Sequence, residues 1–293
     1  MANLIFHIGY PKAGSTTLQK SVFQSLPQVN CLLPKNPAKC NLSSNQVRAI
    51  QQLWKQPYLG IEEETTLIEN VKSIINNLPS DVVNVISTEN IQLIHTHPEL
   101  DIVLRRCKAA LSSPSVLLVK RSPVDILRSL YDMYPFDVFS RNGRYMNFDT
   151  WLNMFLDPQR DNKLREFLKF DSVRLKLEEY FGSDRVHVLD FTSLFKIQSL
   201  VEIDRLAALL NVSSAELLVL LAQKKNEMSD HQLSHVSRKI LGTFHLSDYF
   251  PSSLVRGFAR KLTSLLVALG LSKSPTIVSE QSIKRITMFY GIQ

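Results

Sequence analysis

Short apolar runs punctuate the chain at Leu4–Ile8, Val29–Pro34, Val82–Ile86, Ser115–Val119 and Val186–Phe191. Each is five or six residues long and rich in Val, Ile, Leu or Phe, and turn-forming or polar residues bound most of them. That pattern predicts strands buried on both faces rather than alternating, half-exposed ones. Between the runs the apolar positions change to a spacing of three and four. This predicts helices over Gln46–Trp54, Glu62–Asn77 and Pro98–Leu111, with 35–46 as a polar, proline-bearing loop. Glu62, Glu63 and Glu64 open the second of these, where the helix dipole favours acids. After Asn147 the helical period dominates, over Phe148–Leu156, Asn162–Phe170, Ser172–Phe181, Ser199–Leu210, Ser213–Lys225, Asp230–Leu241, Ser252–Leu269 and Ser279–Tyr290. Strands alternating with helices imply an α/β fold, a central parallel sheet of four to five strands flanked by helices in three layers. The Val186 run is expected to return to the sheet begun at Leu4, so one domain spanning 1–293 is expected.

The first run leads into the most informative stretch, Leu4 to Lys20. Gly9 stops the strand, and Pro11 and Gly14 forbid regular structure across the turn. A helix can start at Ser15 and run to about Leu26, with Ser15 or its neighbours as cap. A strand, a tight loop and a helix start converge backbone N–H groups and a positive dipole end on one point. Lys12 adds a cation, and Ser15, Thr16 and Thr17 add hydroxyl donors. The chemistry that suits this is binding of a phosphate or a group shaped like one. Gly9 and Gly14 have the spacing of a Walker A loop, but Ser15 stands where that loop needs lysine. The lysine lies inside the loop instead. In that arrangement Tyr10-Pro11-Lys12-Ala13-Gly14-Ser15-Thr16-Thr17 resembles the 5′-phosphosulfate loop of sulfotransferases, which use 3′-phosphoadenosine 5′-phosphosulfate (PAPS) as donor.

A second stretch runs from Val116 to Tyr131. A buried strand ends near Lys120, Ser122 caps a helix and Pro123 takes its first position, where a missing N–H costs nothing. Arg121 therefore sits at the carboxyl end of a strand, the edge where open α/β sheets bind ligands. Ser129, seven residues after Ser122, lies two turns into the helix on the same face. A guanidinium fork and a hydroxyl suit a phosphate dianion. Arg121 and Ser129, eight apart with the proline between, resemble the 3′-phosphate motif of the same family. The two motifs span about residues 4–131, the expected PAPS-binding core together with strand 186–191; a helical part from about 147 completes the chain.

Glu89 falls just past the Val82 run, on the same ligand edge. It resembles the catalytic glutamate that several carbohydrate sulfotransferases carry there, although Asn90 replaces the lysine that follows in them. His95 and His97 are rival bases, by resemblance to the histidine-using small-molecule enzymes; their spacing also suits a metal pair, but no further ligand is apparent. His7, inside the first strand, reads as a core histidine or a pocket wall. Phe181-Gly182-Ser183-Asp184-Arg185-Val186 resembles the turn into the family's later strand, and Lys225 to Ser229 a segment over the nucleotide. Tyr131, Tyr134, Phe136 and Tyr145 read as core aromatics or an acceptor wall, and Phe258–Leu271 as a basic amphipathic helix that packs on the core.

Composition narrows the classes. The chain has 293 residues, 44% of them hydrophobic, 21% charged and a net charge of +7, ordinary for a globular protein that handles anions. The basic residues are scattered, without the dense stripe of a nucleic-acid binder. Cys31, Cys40 and Cys107 are too few and too far apart for a disulfide framework, so reduced thiols are expected. No run of ~20 apolar residues occurs, so no membrane insertion is expected. The first strand starts at Leu4, which leaves no room for a signal peptide; a soluble, cytoplasmic and plausibly bacterial protein is expected.

The resemblance implies sulfuryl transfer from PAPS to a hydroxyl or amine, with a glycan or glycolipid as first expectation for the acceptor. Residues 10–17 would hold the 5′-phosphosulfate, and Arg121 and Ser129 the 3′-phosphate. Lys12 would serve as counter-charge in place of a metal, and Glu89 as base. Two other classes stay open: a P-loop kinase or NTPase, and a non-catalytic binder of the product 3′-phosphoadenosine 5′-phosphate (PAP) or another polyanion. Neither the acceptor nor the oligomeric state can be read from the sequence.

Overall fold

In the computed structural model, residues 3–10, 12–33, 41–89, 97–133, 147–160, 165–166, 168–222, 261 and 278–291 are described. They pack into two compact units, Met1–Arg121 with Glu166–Lys225, and Ser122–Arg165 with Asn226–Gln293.

The first unit holds the sheet. Its strands are β1 (Asn3–Ile8), β2 (Val29–Cys31), β3 (Val83–Thr88), β4 (Ser115–Lys120) and β5 (Val186–Asp190). They lie in the order β2-β3-β1-β4-β5, every neighbouring pair parallel. The five predicted runs are thus the five strands. Residues 4 to 8 of β1 and all of β3 are buried, as central strands covered on both faces must be. Register runs Ile8 against Thr88 and Ile8 against Leu118, with Lys120 against Asp190. Parallel pairing therefore brings the ends that precede Gly9, Glu89, Arg121 and Phe191 to one edge.

The helices of this unit follow their local signals. α1 (Ser15–Thr17) continues directly into a π-wound turn, Leu18–Phe23, where the backbone N–H of Gln24 reaches the carbonyl of Gln19. The expectation of one regular helix to about Leu26 is corrected here. α2 (Ser44–Lys55) starts from a reciprocal cap between Ser43 and Gln46. α3 (Ile61–Asn76) starts at Gly60, whose N–H donates to Glu63 at 3.3 Å. α4 (His97–Leu111), α7 (Phe170–Phe181), α8 (Leu200–Leu210) and α9 (Ser214–Ala222) complete the described set of this unit. Fully buried Arg106 on α4 donates to the carbonyls of Leu53, Gln56 and Pro57 and to Glu64, so its charge closes the end of α2.

β3 is longer than its apolar run. Asn84 is fully buried inside it, and its side-chain carbonyl accepts from Asn30 of β2 at 2.8 Å. The two are in register, so one amide pair satisfies both strands.

The second unit is helical in its described residues: α5 (Pro123–Met133), α6 (Phe148–Leu156) and α10 (Glu280–Tyr290). Its core is aromatic. Tyr131 meets Phe148 and Trp151 edge-on at 5.3 and 5.7 Å, and Trp151 stacks on Phe155 at 5.1 Å. Tyr131 is thereby a core residue. Ser282 donates to Asp149 and ties α10 to α6. The predicted helices Asp230–Leu241 and Ser252–Leu269, the 225–229 segment, Cys40, Tyr134, Phe136, Tyr145 and nearly all of 258–271 lie outside the described residues. Among the described residues no single helix is long and apolar enough to cross a membrane.

Candidate functional site

The loop after β1 is built from close approaches. The N–H of Gly9 donates to the carbonyl of Thr88 at 2.8 Å, which fastens the loop's root to β3. A Cβ on Gly9 would stand 2.4 Å from Ser15 Oγ and 3.0 Å from Glu89 Cγ, so only glycine fits there. Lys12 and Gly14 both take left-handed backbone, with φ of 61 and 79°. For Gly14 this is unstrained, whereas for lysine it is a sparsely populated state that the surroundings must hold. Gly14 also occupies the helix N-cap position. Ser15 is therefore the first helical residue and not the cap; its buried hydroxyl donates back to the Tyr10 carbonyl at 3.3 Å. Ala13 and Thr17 are buried, Lys12 and Thr16 half-buried, and Pro11 lies outside the described residues.

Glu89 is half-buried, with its Cγ against Gly9 at the root of the loop. Arg121 reaches the loop from β4: its Nη1 donates to the backbone carbonyl of Lys12. Its guanidinium also lies over the Phe191 ring, 4.5 Å from the centroid, a cation–π contact. Three sequence-identified elements of the first unit thus converge on one end of the sheet. Ser129 belongs to the second unit, half-buried on the helix that Pro123 opens. His95 lies outside the described residues, and for His97 only its place as the first residue of α4 is described.

Two residues here escaped the sequence reading. Directly after β5 the chain winds into a π-turn, Thr192–Ile197. Phe191 and Phe195 pack against each other in it at 5.1 Å. The Phe195 ring fills the space a side chain at Gly14 would need, 2.5 Å from that Cβ position. The available signal was the pair of phenylalanines four apart just beyond a strand's carboxyl end. Asp190, which superficially mimics a Walker B acid, accepts from the Ser193 N–H at 2.8 Å and so caps this turn.

Behind the loop lies a buried polar cluster. His7 Nδ1 is 2.7 Å from Ser87 Oγ, and Gln19 Nε2 donates to the same oxygen at 2.8 Å. All three are nearly inaccessible, and burial pulls the His7 pKa down to about 3, so its ring stays neutral. Cys107 is likewise buried and its thiol pushed up to about 12, an inert core thiol.

The donor set of a lysine, hydroxyls and an arginine fork suits a phosphate-like anion, and the two glycines let Ser15, Glu89 and Phe195 pack against the loop's backbone. A family model described as the sulfotransferase domain matches residues 3–264. A solved structure of a sulfotransferase from Alicyclobacillus acidocaldarius aligns at 15% identity, over 84% of this chain and 92% of that one, with a TM-score of 0.46. No curated protein sequence matches the chain.

Proposed function

The chain belongs to the sulfotransferase domain family, enzymes of sulfuryl transfer, and from that premise we propose that its donor is PAPS and its acceptor a glycan or glycolipid hydroxyl. The supporting observation is the joining of the motifs: Arg121 donates to the Lys12 carbonyl while Glu89 lies against Gly9. In this reading the loop N–H groups and the hydroxyls of Thr16 and Thr17 bind the 5′ end of the donor, and the Ser15 hydroxyl turns to it from the Tyr10 carbonyl. The acceptor oxygen forms a bond to sulfur as the bond from sulfur to the 5′-phosphate oxygen breaks, and PAP leaves. Lys12 neutralises charge growing on that departing oxygen. Glu89 takes the acceptor's proton. Arg121 and Ser129 bind the 3′-phosphate. A guanidinium carries five N–H groups in a fork, so a bond to the Lys12 carbonyl is compatible with phosphate binding.

The glycan preference rests on Glu89 as base, the feature that resembles carbohydrate-sulfating members of the family. The donor assignment is checked by thermal unfolding with nucleotides. PAP at ~100 times its dissociation constant should add about 2.7 kcal/mol of stability and raise Tm. Adenosine 5′-phosphate, which lacks the group Arg121 would bind, should shift Tm much less. Equal shifts from the two nucleotides overturn the role of Arg121.

A further inference from the structure

The buried cluster of His7, Ser87 and Gln19 has no place in the chemistry so far, yet its position in the fold is specific. His7 is the penultimate residue of β1 and Ser87 the penultimate residue of β3, directly opposite each other in register. Gln19 belongs to the π-wound turn that follows α1. One serine oxygen thus joins the strand that leads into the anion loop, the helix that leads out of it, and the strand that ends directly before Glu89.

The hydrogens in this cluster can be traced. Ser87 Oγ accepts from Gln19 and has one hydrogen to give. Given to His7 Nδ1, it makes Nε2 the protonated nitrogen of a neutral ring. Phe23, edge-on to that ring at 5.5 Å, fixes its plane. Such a cluster is costly to bury and has a single good geometry.

The loop it backs needs holding. Lys12 sits at φ 61° and Gly14 at 79°, and a loop in these states keeps one shape only if both its ends are fixed. The strand side is fixed by the sheet and by the bond from Gly9 to Thr88. On the helix side, only three residues are α-helical before the winding changes to π, so the helix's own hydrogen bonding gives little rigidity. Gln19 supplies a link from this side to the sheet.

We propose that His7, Ser87 and Gln19 are positioning residues for the donor's 5′ group: they pin the helix side of the anion loop to the sheet and pre-form the cradle. The proposal rests on the reading of residues 10–17 as the 5′ site, and none of the three touches the nucleotide.

The test compares two nucleotides by calorimetry, without turnover. PAP carries the 5′-phosphate that the cradle would hold; adenosine 3′-phosphate does not. Losing the two hydrogen bonds that meet on the Ser87 hydroxyl in Ser87→Ala should weaken PAP on the order of ~10-fold. Adenosine 3′-phosphate should stay within about twofold, and Ser87→Thr, which keeps the hydroxyl, should restore PAP binding. Gln19→Met breaks the same link from the helix side and gives the same split if Ser87→Ala does not fold. A lower Tm with unchanged PAP affinity overturns the proposal, because the cluster then only stabilises the core. Equal weakening of both nucleotides also overturns it. Wild-type protein that binds the two nucleotides equally well instead removes the 5′ site itself, and with it the reading on which the proposal stands.

Discussion

The two units of this chain use buried groups in opposite ways. In the second, the described core is aromatic surface: Tyr131, Phe148, Trp151 and Phe155 pack ring on ring. In the first, the end of the sheet buries uncharged polar groups close to strained backbone: His7, Ser87 and Gln19 behind the loop, with Lys12 at positive φ. Burial of apolar surface is non-directional and tolerates adjustment, whereas a hydrogen-bonded cluster holds one geometry or loses it. The difference teaches where precision is required. If, as proposed, the loop presents several N–H groups and a lysine to one anion, it needs fixed positions of the kind that buried polar groups supply.

The sharpest break of that comparison is at Glu89. Glu89→Gln keeps shape and hydrogen bonding but removes the proposed base, so turnover with PAPS should fall by ~100- to 10,000-fold, with PAP affinity nearly intact. His95→Asn and His97→Asn, measured beside it, should each lose far less. An active Glu89→Gln with one dead histidine variant would move the base to that histidine and remove the main support for a glycan acceptor.

In the second unit the corresponding break is in packing. Trp151 is 2% exposed and stacks on Phe155. Trp151→Ala should cost about 3–5 kcal/mol, the range for emptying a large aromatic site, read from urea unfolding. A cost below about 1 kcal/mol would mean that this cluster relaxes freely, and the contrast between the units would lose one side.

Much of this was legible in the sequence. Continuous apolar runs located the strands, and Gly9, Gly14 and Pro123 marked the turns at the ligand edge. The limits of legibility are physical. β3 was cut at Ile86 because Ser87 and Thr88 are polar, yet both are buried. Ser87 is satisfied by His7, 80 residues away in sequence, and Gln19, and the Thr88 carbonyl by Gly9. No local pattern carries such long-range partners. The π winding of Leu18–Phe23 has the same apolar spacing as a helix over one turn, so it too was invisible. Ser15 or a neighbour was expected as the cap; Gly14, beside it, takes the N-cap position at φ 79° and makes Ser15 the first helical residue. Phe191 and Phe195 escaped because their partners, Arg121 and Gly14, meet them only through the sheet's topology.

The smallest expected effect tests the polar side of the contrast directly. His7 is fully buried, and desolvation lowers its pKa from 6.5 to about 3. In the unfolded chain the ring takes up a proton below about 6.5, while in the folded protein it does not until about 3. The unfolded state therefore binds more protons across that window, and stability falls as pH falls through it. Above pH 6.5 the His7 contribution is fully present. By about pH 5 the loss should be roughly 2 kcal/mol, from the ~1.36 kcal/mol that each pH unit carries. His187, which burial also shifts downward, adds a slope of the same sign, so the wild-type curve alone does not isolate His7. The comparison with His7→Gln does. That variant is expected to be less stable at neutral pH, because it disturbs the Ser87 cluster, but to have a shallower dependence between about pH 6.5 and 5. Urea unfolding at several pH values reads both quantities. If the two curves run parallel, His7 titrates alike in the folded and unfolded chains, and the cluster behind the loop is wetter and looser than its hydrogen bonds imply.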